Sequence, residues 1–241
     1  YMFFFSASQL EPRAEFWISN GLPEKTGRLN DLFPEIESGF RNQHPIFCAD
    51  DTGAYFLHPD AMQVMRLWRY NPGEEHLRPL AEVPGLVGEM VLFGDRLIFP
   101  MFEPGLGIEL WTYDPAVGEI QLVKDLWAGN DSSNPEHLFP WKDGVYFRAD
   151  SMSDGIELWR TDGTERGTLR VIDINPHALS SGAYGFVPAG DYLFFRAYHN
   201  DYGDELWATK GEIGKMPVVF DVFPGSQSSH PYSMAAIGSY L

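Results

Sequence analysis

One tryptophan-bearing position recurs along this chain at a nearly constant interval, and the interval restricts the folds that are open to it. Five of the seven tryptophans occupy that position, and three of them end a Glu-Leu-Trp triplet. The five are Trp17, Trp68, Trp111, Trp159 and Trp207. The steps between them are 51, 43, 48 and 48 residues. A repeat of this length is typical of solenoids, propellers and other arrays of one small unit.

The unit that contains Trp159 predicts four short strands within its 48-residue step. Alternating apolar residues indicate strands at 138–141, 145–149, 156–160 and 169–173. An Asp-Gly turn follows the first strand, and another follows the third. Four short strands joined in sequence by turns match one blade of a β-propeller.

Spacing inside the units is rigid. An acidic residue lies 14 positions after every repeat tryptophan, at Asp31, Glu82, Asp125, Asp173 and Asp221. Insertions fall between the units, where connecting loops accept them. Constant spacing within a hairpin is what a fixed strand register requires.

We therefore predict an all-β fold, a five-bladed β-propeller with four-stranded antiparallel blades, as a single domain over residues 1–241. The sequence starts within a second strand, at 1–5, and stops just after an inner strand and turn, at 233–240. The N- and C-terminal strands are expected to share one blade, which would close the ring and leave no exposed sheet edge.

The charge of the chain restricts its partners. Its 17 Lys and Arg against 34 Asp and Glu give a net charge of −17, which disfavours nucleic acid and anionic membranes because both would be repelled. The single cysteine, Cys48, allows no disulfide within the chain. No apolar run is long enough for a transmembrane helix, so we expect no membrane insertion. The partner classes that remain are proteins and glycans.

No catalytic motif is present. The sequence has no Gly-x-Ser-x-Gly, no His-Glu-x-x-His, no phosphate-binding glycine loop and no Cys-x-x-Cys. We therefore expect neither an enzyme nor a bound cofactor. Calcium stays possible at Asp50-Asp51 and Asn130-Asp131, although neither pair has the spacing of a defined calcium loop.

The loops that join an outer strand to the next inner strand contain the candidate binding residues. A serine lies seven positions after the repeat aspartate in four units, Ser38 in the first among them, and histidines, including His44, and tyrosines stand nearby. The predicted ligand-binding set is Ser132, Ser133, His137, Ser180, Ser181, Tyr184, Ser228, Ser229, His230 and Tyr232. Hydroxyls and aromatic rings suit a polar ligand such as a sugar. The alternative is that the aspartates and serines only satisfy backbone groups of their own turns.

The repeat glutamates present a similar choice. Glu15, Glu109, Glu157 and Glu205 each precede the Leu or Phe of the tryptophan triplet. They could line the ligand face or bind a cation, or each could accept hydrogen bonds that brace a neighbouring loop. Arg66 replaces glutamate in the second unit, which argues against five identical sites.

The run Glu157 to Thr168 resembles the ELWxxDGT repeat of long bacterial surface and secreted proteins. The resemblance implies a propeller-like, extracytoplasmic module that is mostly non-catalytic, and it implies no ligand. Five blades are also similar to the architecture of tachylectin-type lectins, although the residues do not match. We expect a non-enzymatic binding module such as an adhesin, scaffold or accessory subunit. A lectin with repeated sites between blades and a glycan-cleaving propeller enzyme remain as alternatives.

Overall fold

The computed structural model describes residues 2–6, 15–19, 21–28, 31, 33, 46–74, 76–85, 88–176 and 179–238. Across these residues the chain folds into 19 β-strands and one short 3-10 helix, Pro23–Lys25. The strands form antiparallel sheets in which neighbours along the chain are neighbours in the sheet. Over the same residues, no helix has the length and apolar character needed to cross a membrane.

Two sheets come from the first third of the chain. Sheet 1 contains β1 (Met2–Ser6), β2 (Glu15–Ser19) and β3 (Thr26–Arg28), in that order. Sheet 2 contains β4 (Phe47–Ala49), β5 (Ala54–Pro59), β6 (Met65–Tyr70) and β7 (Arg78–Glu82). The described part of sheet 1 thus has three strands, one fewer than predicted.

The remaining three sheets have four strands each. Sheet 3 contains β8 (Val91–Phe93), β9 (Arg96–Glu103), β10 (Gly107–Asp114) and β11 (Glu119–Lys124). Sheet 4 contains β12 (Glu136–Trp141), β13 (Gly144–Ala149), β14 (Glu157–Thr161) and β15 (Leu169–Ile172). Sheet 5 contains β16 (Tyr184–Ala189), β17 (Tyr192–His199), β18 (Gly203–Thr209) and β19 (Val218–Phe220).

Strand register confirms the phase of the repeat. In every sheet a phenylalanine of the preceding strand lies opposite the repeat tryptophan; the pairs are Phe4–Trp17, Phe56–Trp68, Phe99–Trp111, Phe147–Trp159 and Phe195–Trp207. One register in five sheets means that equivalent positions lie opposite each other within every sheet.

The chain divides into two compact units. One contains Tyr1–Leu86 with Pro115–Glu119, and the other contains Val87–Asp114 with Ile120–Leu241. In the first unit, β5 and β6 supply the core: Phe56 and Leu67 are fully buried, and the Trp68 indole N–H donates to the His58 carbonyl at 2.8 Å. The prediction of one domain over the whole chain stays a prediction.

In the second unit the core fills the two spaces between sheets 3, 4 and 5. Ile98 and Leu110 of sheet 3 pack with Phe147 and Trp159 of sheet 4. The next cluster joins residues of sheets 4 and 5, namely Tyr146, Leu158, Phe195 and Trp207. Each of these indoles also donates to a carbonyl ten residues earlier, from Trp159 to Ala149 at 3.2 Å and from Trp207 to Ala197 at 2.9 Å. The tryptophans of sheets 4 and 5 are therefore inter-sheet core.

Left-handed backbone also follows the 48-residue step. Three positions with positive φ recur in each of three places: the start of sheet 4, the start of sheet 5 and the C-terminal segment. They are Asn134, His137 and Lys142, then Gly182, Gly185 and Gly190, then His230, Ser233 and Gly238. The segment after sheet 5 therefore has the backbone turns that precede and follow β12 and β16.

Candidate functional site

Three repeat glutamates are internal braces. Glu109, Glu157 and Glu205 are completely buried, and all lie on the strand that carries the repeat tryptophan. Burying a carboxylate is costly unless hydrogen bonds satisfy its oxygens. Each of these carboxylates accepts bonds from both ends of the loop that follows its own sheet. Of the three roles that the sequence left open for these glutamates, bracing a loop is the one seen here.

The contacts of Glu157 show the arrangement. Its Oε1 accepts the Ser181 N–H at 2.8 Å, and its Oε2 accepts the Ile174 N–H at 3.0 Å and the Ser181 hydroxyl at 2.6 Å. Glu109 binds Leu126 and Ser133 in the same way. Glu205 binds Val222 and Ser229. One side chain thus holds the start and the end of each loop.

Burial changes the ionisation of these groups. The pKa of Glu157 is raised from 4.5 to about 7. Desolvation is the largest cause, the bonds from Ser181 and Ile174 oppose the rise, and the nearby Asp173 charge adds to it. Desolvation likewise raises the pKa of Glu109. The Ser181 hydroxyl also lies 3.5 Å from the Ile156 carbonyl, so it has a second acceptor when the Glu157 carboxyl is protonated.

A glycine two residues before each glutamate brings its hairpin against the same loop. Gly107, Gly155 and Gly203 have φ of 74°, 71° and 70°. A Cβ on Gly107 would overlap the Asp131 carbonyl and lie 2.7 Å from the Ser132 Oγ. Glycine is therefore required here both by the left-handed conformation and by the close approach.

The predicted serines have structural partners. Ser132, Ser180 and Ser228 accept the backbone N–H of Ile108, Ile156 and Asp204 at 2.9, 3.0 and 2.9 Å. These partners belong to the preceding hairpin, 24 residues earlier, rather than to the serine's own turn, where the alternative interpretation placed them. Ser133 and Ser181 are buried, whereas Ser229 is half-buried. Ser38 and His44 lie outside the described residues.

Residues that differ from the repeat in one unit are better indicators of function than residues shared by all units, because the fold that the units share already explains the shared residues. The residue before the brace glutamate is Ile108 in sheet 3 and Ile156 in sheet 4, but Asp204 in sheet 5. Asn134 and Gly182 build the left-handed turn after the serines in the earlier units, and His230 builds it after sheet 5.

These departures meet in one polar cluster on sheet 5. Arg196 of β17 donates to Asp204 of β18 through Nε, at 2.6 Å from Oδ1, and through Nη2 to Oδ2. The His230 Nδ1 lies 2.9 Å from Arg196 Nη2 and 3.2 Å from Asp204 Oδ2. The ion pair lowers the pKa of Asp204, against the effect of its burial, and raises the pKa of Arg196. We call Arg196, Asp204 and His230 the polar cluster.

Aromatic side chains of the predicted set lie beside it. The Arg196 guanidinium stands 5.1 Å above the Tyr184 ring, which is the range of a cation–π contact. The His137 ring is 6.0 Å from the same tyrosine on neighbouring strand β12. Tyr232 follows the cluster and is 83% exposed. Four of the ten predicted residues, His137, Tyr184, His230 and Tyr232, thus belong to one neighbourhood and keep exposed or half-exposed surface.

Sequence reasoning missed Arg196 and Asp204. The signal for Asp204 was present, since a carboxylate replaces the isoleucine that precedes the brace glutamate in the two units before it. Arg196 carried a weaker signal. It aligns with Arg148, which instead pairs with Glu136 of its own sheet at 2.5 Å.

The structure does not assemble a calcium site around the acidic pairs within the residues that it describes. The Asp50 Oδ1 accepts the N–H groups of Thr52 and Gly53 at 2.6 and 2.8 Å, as in a turn-capping aspartate. Within the ranges that the structure covers, no three His, Cys, Asp or Glu side chains converge as metal ligands.

The fold has counterparts among solved structures. The crystal structure of TolB from Acinetobacter baumannii matches with a TM-score of 0.55 and 11% identity, over 90% of this chain and 51% of that one. Prolyl oligopeptidase B from Galerina marginata matches with a TM-score of 0.56 and 13% identity, over 90% of this chain and 33% of that one. The chain spans about half the length of the TolB structure and a third of the peptidase.

At these identities the likeness establishes the fold alone, an all-β arrangement of antiparallel sheets of the β-propeller type. The sequence matches no protein-family model and no curated protein.

Proposed function

We propose that the chain is a non-enzymatic binding module that contacts a protein or glycan through the surface around the polar cluster and Tyr184. The proposal is carried by a contrast between two features. The loop bases are held in the same way in three units, whereas the side chains of the polar cluster occur in one unit only. Buried glutamates fix the loop bases in three units, while the polar cluster has no counterpart in sheets 3 and 4. A rigid frame that presents side chains from several strands favours recognition.

A glycan suits the exposed groups of this surface. Sugars bind through planar hydrogen-bonding groups together with an aromatic face. Tyr232 and His137 offer rings, and His230 offers an imidazole whose side chain is 63% exposed. The lectin alternative therefore keeps support from this surface, with one site rather than several equivalent ones, because the cluster occurs in a single unit.

The extracytoplasmic location rests on the resemblance of residues 157–168 to the ELWxxDGT repeat. The acidic composition, with a net charge of −17, is compatible with a soluble partner-binding surface and disfavours polyanions. Expression of the natural-length protein with an epitope tag in a bacterium, followed by fractionation, would test the location. Recovery of natural-length protein only from the cytoplasm would exclude it.

The binding surface can be tested by double substitution. We expect His137→Ala with Tyr232→Ala to weaken the best ligand found by a glycan array or a protein pull-down by about 10-fold or more, as for loss of an interface hot spot. Met62→Ala, which removes an equally exposed side chain (84%) in the first unit, should leave affinity unchanged. Equal affinity of the double variant and the wild type, by isothermal titration, would place binding elsewhere.

We further propose that the five sheets are blades of one ring, closed by pairing of the C-terminal segment with sheet 1. One observation supports closure: residues 230–238 repeat the left-handed positions around β12 and β16. An experimental structure in which Ile237 pairs with any strand other than β1 would exclude it.

A further inference from the structure

One hydrogen bond in the polar cluster is possible in only one charge state of histidine. The Arg196 Nη2 lies 2.9 Å from the His230 Nδ1. A guanidinium can only donate, so Nδ1 must accept with a lone pair. The proton of the neutral imidazole is then on Nε2.

The same nitrogen has a second partner of the opposite kind. His230 Nδ1 lies 3.2 Å from Asp204 Oδ2, and an ionised carboxylate can only accept. After the imidazole gains a second proton, Nδ1–H can donate to Asp204 but faces the Arg196 donor as a like-charged neighbour. Protonation therefore exchanges one partner for the other.

The groups that face His230 do not change charge over the same range. Hydrogen bonding to Asp204 raises the pKa of Arg196, and the bonds from Arg196 lower the pKa of Asp204 against its burial. Beyond them lie the Tyr184 ring on β16 and the His137 ring on β12. An ordinary imidazole gains its second proton between about pH 5 and pH 8, a range that the shifted Arg196 and Asp204 do not enter.

We propose that His230 is a pH-controlled latch on the loop Ser228–Tyr232, which forms part of the proposed binding surface. In the neutral state Arg196 holds this loop through His230 Nδ1 and through the Pro231 carbonyl, 3.5 Å from Nη1. Protonation releases the guanidinium from the loop and transfers the imidazole to Asp204. Because Tyr232 follows directly, its position changes with the latch.

The repeat itself does not require this arrangement. Asn134 and Gly182 adopt the same left-handed turn, with φ of 46° and 58°, and each donates its backbone N–H to the isoleucine that corresponds to Asp204, as His230 does to Asp204 at 3.1 Å. A histidine is therefore dispensable for the turn. His230→Asn is a variant that the fold already accommodates at Asn134.

Nitrogen NMR of the isolated chain tests the latch without a ligand. At pH 8 we expect His230 to carry its proton on Nε2, and the Arg196 Nε–H resonance should shift in step with the His230 titration as the pH falls. His230→Asn should abolish the Arg196 shift and keep the remaining spectrum. A proton on Nδ1 at pH 8, or an Arg196 resonance that ignores the His230 titration, would overturn the latch.

Regulation of binding rests on the proposed function and needs a second measurement. Affinity for the best ligand should differ roughly fivefold or more between pH 8 and pH 5.5 in the wild type, a common size of coupling between two sites. The difference should vanish in His230→Asn. If His230 titrates as a latch but the affinity does not change with pH, regulation is contradicted and the proposed binding site stands. If the surface variants lose binding but NMR shows no latch, the binding site stands and the latch is contradicted.

Discussion

Replacing Glu157 with glutamine is expected to lower the free energy of unfolding by about 3 kcal/mol, because buried donors lose their acceptor. Both carboxylate oxygens accept bonds, from Ser181 on one side and from Ile174 and Ser181 on the other. An amide has only one acceptor oxygen, so its NH₂ group must face a backbone N–H. The loop that joins sheets 4 and 5 then loses one of its two fixed ends.

The cost of this substitution should depend on pH. Burial raises the pKa of Glu157 from 4.5 to about 7, so the folded state holds a proton that the unfolded state releases between these values. The stability contributed by that proton is complete below about pH 4.5 and is lost as the pH rises through about 7. The difference between wild type and Glu157→Gln should therefore shrink over this interval.

Urea unfolding from pH 4.5 to pH 8 measures both effects. Glu165→Gln is the matched control, because Glu165 is an exposed side chain of the next turn and should change stability by less than about 0.5 kcal/mol at every pH. A Glu157→Gln variant as stable as the control would show that the glutamate does not brace the loop. A difference that grows with pH would contradict the raised pKa.

Substituting Gly107 with alanine should cost about 3 kcal/mol or more. Left-handed backbone costs a residue with a Cβ roughly 1–2 kcal/mol, and here the Cβ would also overlap the Asp131 carbonyl. Backbone lies on both sides of this contact, so neither the hairpin nor the loop can move away as a flexible side chain could. The clash adds to the conformational cost.

Gly105, two residues earlier, separates the two causes. It has φ of 93° and no atom within 4 Å of an added Cβ, so Gly105→Ala should cost only the conformational part, about 1 kcal/mol. Differential scanning calorimetry or urea unfolding of both variants compares them directly. Equal losses at the two glycines would show that hairpin and loop are not in the close contact described.

Much of the fold could be predicted because its signals are local and repeated. The Glu-Leu-Trp triplet, the aromatic run before it and the fixed distance to the next acidic residue all lie within one unit. They predict the strands that contain Phe147 and Trp159, which the structure then places opposite each other. The brace role of Glu157 was one of the alternatives, since a repeated polar residue usually serves the repeated structure.

The candidate site could be predicted only in part. The sequence indicated His137, Tyr184, His230 and Tyr232 from their place in the loops, and the structure brings them to one neighbourhood. It did not indicate that Arg196 would join them, because the partner of an arginine depends on which carboxylate the fold brings near. Asp204 lies across the strand pair and His230 lies 34 residues further along.

The double grip of each buried glutamate has a consequence for how such a chain can diversify. Glu109 secures Leu126 and Ser133, and Glu205 secures Val222 and Ser229, so six residues lie between the anchors in both cases. Those stretches differ in sequence, Trp-Ala-Gly-Asn-Asp-Ser against Phe-Pro-Gly-Ser-Gln-Ser. The anchors thus define cassettes of fixed length, in which the shared glycine and serine serve the fold. The other four residues can be rewritten, by evolution or by grafting, while the ends stay at the same points of the scaffold.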